Sequence, residues 1–377
     1  MNFLKRCWAE IDLDALDFNL ESIRAQCPDK EVVAVMKANA YGHSDVICAR
    51  EYYRLGVRRF AVSNIREAER IRGIIGDNLC FLLVFGYIDE EHFGDILRLN
   101  LTATAGSVEF AVRLNRFAAS REAKIAVNIA VDTGMTRVGV ETAEEIRQIA
   151  ALENLEVTGM YSHFAVSDMT DSESVEFTKR QYEKISQLAK SMNIPIHIHN
   201  SGGIAFHSEL QADWMRPGVI LYGLSPNTGV ENPLKLRQVM TLKSVIDQLK
   251  VVPKGVDIGY GRTYTADSEQ VIALIPVGYA DGYSRRLSNK GFAIVNGVLC
   301  PIRGRVCMDQ MMIDVTNANA ELGNEVKLYS GEFAETGVDY IADLIGTIGY
   351  EVVCNVSARV PRVAVREGEI VEVVNER

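Results

Sequence analysis

The feature that most constrains this chain is an alternation repeated eight times between about residue 30 and residue 216: a short β-rich run, then an amphipathic segment. The runs lie near Val32 to Val35, Phe60 to Ser63, Phe81 to Val84, Thr102 to Ala105, Ile125 to Val131, Val157 to Ser162, Ile196 to His199 and Trp214 to Arg216. Between them, segments such as Ser44 to Leu55, Ile65 to Ile75 and Val108 to Ala119 carry apolar residues at three- and four-residue spacing. Strands alternating with helices build a parallel sheet, and eight such units in roughly 200 residues suit a closed barrel better than an open doubly wound sheet. The expected class is α/β, an eight-stranded TIM-type (β/α)8 barrel. Side chains at the carboxyl ends of barrel strands face the catalytic mouth, so residues just after each run become the candidates for chemistry.

At 377 residues the chain exceeds one typical domain. The stretch "SPNTGVENPLK", residues 225 to 235, concentrates turn residues and reads as a linker. Beyond it the pattern changes to strands and turns, with "GFAIVNGVLCPIRGRV" reading as a hairpin whose Asn296-Gly297 pair suits a type I′ turn. The expected division is a barrel over 1–235, whose first dozen residues pack on the second unit, and a mostly β C-terminal domain over 236–377.

A formal charge of −10 argues against nucleic acid or an anionic membrane as partner, since both demand clustered positive charge. No apolar run approaches the roughly 20 residues that cross a bilayer, and no signal-peptide core follows the N-terminus. A cytoplasmic protein acting on small molecules is expected, although a longer natural protein could carry a membrane domain upstream of residue 1. The seven cysteines lack CxxC spacing and read mostly as buried reduced thiols; no metal site is expected.

The first barrel run ends in "VVAVMKANAYGH", which sets Lys37 at the mouth behind four apolar residues. An ammonium is costly to bury unless its charge is paired or its pKa falls, so a lysine there reads either as a salt-bridged surface residue or as an amine with the lowered pKa that Schiff-base chemistry with an aldehyde cofactor needs. "AVMKANAYGH" is similar to the lysine motif of the bacterial alanine racemase family. The resemblance continues in order through "WAEIDLDAL", "VDTGMTRVG", "YSHFA", "HNSGG", "RPGVILYG", "IGYGRTY", "IPVGYADGYSRR", "RVCMDQMMIDV" and "SARVPR". It covers nearly the whole chain.

This resemblance implies an amino-acid racemase that uses pyridoxal phosphate (PLP), carried on Lys37. It implies phosphate binding by Ser201, Gly218 and Val219, aided by Tyr41, with Asn200 nearby, in the loops after strands seven and eight where barrels often hold phosphate. Arg216 resembles an arginine that faces the pyridine nitrogen. A guanidinium accepts no proton, so the ring stays unprotonated and is a weaker electron sink.

Racemisation removes a proton from one face of Cα and returns one to the other, so two acid/base groups must flank the substrate. The resemblance assigns these to Lys37 and Tyr260, with His163 linking the tyrosine to Arg216. Because Tyr260 lies in the second domain, the family pattern implies a homodimer with shared active sites. Tyr279, Met308 and Asp309 would likewise come from the partner, and Arg137 would contact the cofactor's phenolic oxygen and the substrate carboxylate.

Two positions depart from the family pattern. Ala130 stands where many members have a lysine that orients the arginine. Ala358 in "VSARVPR" stands where members commonly have a bulky residue, tyrosine in some, at the substrate wall. A methyl group there would open space for serine, as in the racemase part of vancomycin-resistance serine racemases, so L-serine joins L-alanine as a candidate substrate. A barrel-type PLP decarboxylase expects a carboxylate where Arg216 stands, and a PLP-carrier protein lacks the β domain.

Overall fold

The computed structural model describes residues 3–375. Strand β1 (Cys7–Asp12) is followed by eight parallel strands that close on themselves: β2 (Glu31–Val35), β3 (Arg59–Val62), β4 (Phe81–Val84), β5 (Thr102–Ala105), β6 (Ile125–Ala130), β7 (Leu155–Tyr161), β8 (Ile196–His197) and β9 (Trp214–Met215). Closure runs through β9 back to β2, with Glu31 opposite Trp214. The eight expected runs are these strands, each within a few residues.

The physical reason is visible along β2. Val32 and Ala34 pack outward into the main core beneath the helices, whereas Val33 belongs to a separate inner cluster with Ala61, Leu83, Ala130, Tyr161 and Trp214. A strand buried on both faces reads as a continuous apolar run rather than an alternation. The helices between strands start where the sequence offers caps. The Asn64 side chain accepts the Glu67 N–H, Ser107 accepts from Phe110, and Thr142 with Glu145 forms a reciprocal capping box.

The second unit is mostly β. Its strands are β10 (Met240–Val245), β11 (Gln248–Val252), β12 (Asp257–Ile258), β13 (Tyr264–Thr265), β14 (Gln270–Ile275), β15 (Phe292–Val295), β16 (Val298–Pro301), β17 (Met311–Asp314), β18 (Glu325–Tyr329), β19 (Arg362–Arg366) and β20 (Glu369–Val374). Seven strands form one sheet in the order β16-β15-β18-β10-β1-β19-β20, so β1 pairs with strands from the far end of the chain. The β15–β16 hairpin turns at Asn296 and Gly297, whose φ of 50° and 77° are the positive pair that a type I′ turn requires. All seven cysteines are free, and five are buried. Among the described residues no helix is long and apolar enough to cross a membrane.

Candidate active site

A cavity of 790 Å³ lies at the carboxyl end of the barrel. Its lining includes Tyr41, Arg137, His163, Asn200, Ser201, Arg216 and Gly218 among the residues singled out from sequence, and also Asp168, Tyr161 and Tyr350, which were not.

Lys37 follows β2 by two residues and opens an unusual turn. Ala38, Asn39, Ala40 and Tyr41 all have φ between 53° and 55°, one turn of left-handed helix built from residues with side chains. Each such residue costs about 1–2 kcal/mol, so the turn persists only because its surroundings hold it. Glu67 accepts the Ala38 N–H at 2.8 Å, Asn39 accepts the Asp45 N–H at 2.8 Å, and the buried Arg362 donates to the Gly42 carbonyl at 2.9 Å. The turn brings the Tyr41 ring under the amine, with Lys37 Nζ 5.9 Å from its centroid. Although Lys37 keeps contact with solvent, desolvation by the surrounding wall lowers its pKa, and the nearby Arg137 charge adds to the effect.

Arg216 is 3% exposed and is held from three sides. Nη1 donates to the His197 carbonyl and lies 3.0 Å from His197 Nδ1; Nη2 donates to the Ser162 carbonyl at 2.6 Å and lies 3.4 Å from His163 Nδ1. Burial lowers the guanidinium to about 10, so it stays charged at neutral pH. His163 is pushed well below the usual imidazole range, first by burial and then by the charge of Arg216. It is a neutral ring beside a permanent cation.

One corner of the cavity is lined by hydroxyls and backbone. Ser201 Oγ accepts the Gly218 N–H at 3.1 Å, and a Cβ on Gly218 would sit 2.5 Å from the Tyr41 hydroxyl oxygen. Only glycine fits there. Asn200 caps the following short helix by accepting the Gly203 N–H at 2.9 Å. Val219, fully buried, begins the turn beside this corner. The Tyr350 ring stands 6.0 Å from that of Tyr41, and desolvation by burial raises its phenol well above the ordinary range.

The structure does not bring Tyr260 to Lys37 within one chain. Tyr260, 73% exposed, lies between β12 and β13 and lines a second, open hollow with Tyr279, Met308 and Asp309, none of which touches the barrel cavity. Arg137 lies on the loop after β6, where Asp132 Oδ1 accepts the N–H groups of Gly134 and Thr136. Ala130 is 1% exposed and packed in the inner cluster.

Ala358 is a correction to the sequence reading: it is exposed and lines neither hollow. The aromatic ring at the cavity wall is Tyr350, eight residues earlier, carried there by the helix Gly349–Cys354. Packing of that helix against the loop after Lys37 places it, since a Cβ on Gly42 would meet the Val353 carbonyl at 2.2 Å. No periodicity in the sequence announces such a contact.

An eight-stranded barrel with a lysine, an arginine and a histidine gathered at its mouth, joined to a β domain, defines a class of barrel enzymes. Two family models resolve which one: the alanine racemase N-terminal domain matches residues 11–226 and the alanine racemase C-terminal domain matches residues 239–364. The chain is 37% identical to alanine racemase 1 of Clostridium acetobutylicum, over 99% of this chain and 98% of that one. It is 40% identical to the alanine racemase of Desulforamulus reducens, over 94% and 98%. Its fold superposes on the alanine racemase of Clostridium difficile 630 with a TM-score of 0.92 at 34% identity, each chain covered fully. The alanine racemase of Bacillus anthracis with bound L-Ala-P gives 0.90 at 30% identity, covering 100% of this chain and 99% of that one. The chain belongs to the alanine racemase family and is an amino-acid racemase.

Proposed function

We propose that this enzyme interconverts L- and D-alanine with PLP as cofactor, supplying D-alanine for peptidoglycan, and that two chains build each active site. The observation that carries the reading is the convergence, at one barrel mouth, of an amine with a lowered pKa and a buried arginine backed by neutral histidines. The cavity fits the cofactor: the Tyr41, Ser201 and Gly218 corner excludes even a Cβ and offers hydroxyl and backbone groups suited to a phosphate. Lys37 would hold the aldehyde carbon, Val219 and Asn200 would support the phosphate corner, and Arg216 would face the ring nitrogen. When bound, the cofactor supplies a conjugated ring that spreads the electron pair left at Cα as its proton departs.

The chain's own residues do the rest. Lys37 Nζ, displaced by substrate, takes or returns the proton on one face. On the other face the same work falls to the hydroxyl of Tyr260 from the partner subunit, since within one chain Tyr260 lines a hollow separate from the barrel cavity. Three large side chains exposed around Tyr260, namely Tyr260, Tyr279 and Met308, suit a surface that another subunit covers. His163 lies between Arg216, 3.4 Å from its Nδ1, and the Asn200 amide, 3.3 Å from its Nε2, and would link the incoming phenol to Arg216; Arg137 would hold the substrate carboxylate at the rim. In this division residues 1–235 form the cofactor-binding barrel and 236–377 the domain that completes the partner's site, with Asp309 at its substrate entrance.

Serine is the weaker reading. Ala358 lies away from the cavity, and the Tyr350 ring occupies the wall where extra space was expected. The test is a stereochemical assay of the purified, PLP-loaded chain on L-alanine and L-serine. Conversion of L-alanine to the racemate, lost in Lys37→Ala, supports the reading; retention of full inversion by Lys37→Ala removes it.

A further inference from the structure

Behind Arg216 an ordered chain of hydrogen bonds continues past His197, further than the racemase reading uses. His197 and Asn128 are both 0% exposed. His197 Nδ1 lies 3.0 Å from Arg216 Nη1, His197 Nε2 lies 2.8 Å from Asn128 Oδ1, and Asn128 Nδ2 donates to Thr158 Oγ1 at 2.9 Å. The Thr158 hydroxyl points in turn to the Val127 carbonyl at 3.4 Å.

Donor and acceptor chemistry allows one arrangement of protons along this chain. A guanidinium carries only donors, so the His197 nitrogen facing it must present a lone pair. The single proton of the neutral ring is then on Nε2. A group facing that proton must accept, which fixes the Asn128 oxygen toward the ring and its amine toward Thr158. Turning the amide over would set donor against donor at His197.

We infer that Asn128 is a positioning residue: its neutral amide oxygen holds His197 as the Nε2–H tautomer, and the Nδ1 lone pair so presented keeps Arg216 aimed at the barrel mouth. The catalytic meaning of this relay rests on the proposed function, but the proton assignment does not. A second proton on His197 would turn Nδ1 into a donor and push Arg216 away. The groups facing His197 give that proton no counter-charge: Asn128 is neutral, Arg216 and the more distant Arg59 are cationic, and the Tyr161 and Trp214 rings lie 5.2 and 5.0 Å away. Burial first, and then these cations, hold His197 well below the ordinary imidazole range. A neutral support also leaves the guanidinium charge undivided at the cavity, where a carboxylate behind His197 would share it.

The test is nitrogen-15 NMR of the histidine-labelled full-length chain, with His197 identified by the signal missing in His197→Gln. The wild type is expected to show a protonated Nε2 and a bare Nδ1 throughout about pH 6–8. In Asn128→Asp, the same shape with a negative charge, His197 is expected to take its second proton at a pH higher by about one to three units. A wild-type ring protonated at Nδ1, or cationic at neutral pH, would overturn the inference, as would an Asn128→Asp ring that titrates like the wild type. If that variant does not fold, the wild-type spectrum decides alone. Neither cofactor nor substrate is needed, so a failed racemase assay would leave this result unchanged.

Discussion

Glu67 and Ala38 are joined by a hydrogen bond of 2.8 Å from the Ala38 N–H to one carboxylate oxygen, while the other oxygen accepts the Ser63 N–H at 2.7 Å. One side chain thus ties the ends of β2 and β3 together at the residue that follows Lys37. Glu67→Gln keeps the shape but replaces one acceptor with a donor. We expect a loss of about 1–3 kcal/mol in stability. Urea unfolding checks this, with the midpoint lowered and the slope unchanged.

Gly218→Ala tests the phosphate corner. An added Cβ would sit 2.5 Å from the Tyr41 hydroxyl oxygen, so the methyl displaces that hydroxyl. The dissociation constant of PLP is expected to rise at least about tenfold, while that of pyridoxal, which lacks the phosphate, moves little. Equal weakening of both would mean that the corner shapes the ring site instead.

The Lys37 amine reacts only when neutral, and the positive charge of Arg137 helps to lower its pKa. Removing that charge should raise the pKa and demand a higher pH for the same neutral fraction. In Arg137→Gln the pH midpoint for capture of PLP by the cofactor-free chain should move upward, by up to about one unit. A downward movement would contradict the stated origin of the shift.

Substrate choice should follow position 350 rather than 358. Ala358→Tyr is expected to leave the ratio of kcat/KM for L-serine and L-alanine within about twofold, the range of a surface substitution. Tyr350→Ala should raise that ratio, because it opens the cavity wall itself.

The barrel was legible because most of its strands are buried on both faces and several helices carry their own stripe and cap, signals confined to a dozen residues. Lys37, His163, Asn200, Ser201, Arg216 and Gly218 were legible for a related reason: they lie within a few residues of strand ends, where the fold points toward the cavity. Tyr350 was not, since it reaches the mouth on a helix from the second domain through packing at Gly42. Asn128 and His197 meet across 69 residues, and their fit depends on which nitrogen holds a proton. The left-handed turn after Lys37 was hidden as well, because Ala38 and Ala40 ordinarily favour the right-handed form.

The central claim is that Lys37 of one chain and Tyr260 of another make one active site, and subunit mixing measures it directly. Lys37→Ala and Tyr260→Phe are each expected to be nearly inactive in alanine racemisation. Unfolded together and refolded in equal amounts, they should regain about a quarter of the wild-type rate, because half the dimers are mixed and each mixed dimer holds one intact site. A mixture no more active than its components would contradict the account, placing both groups in the same chain's site or removing one of them from the chemistry.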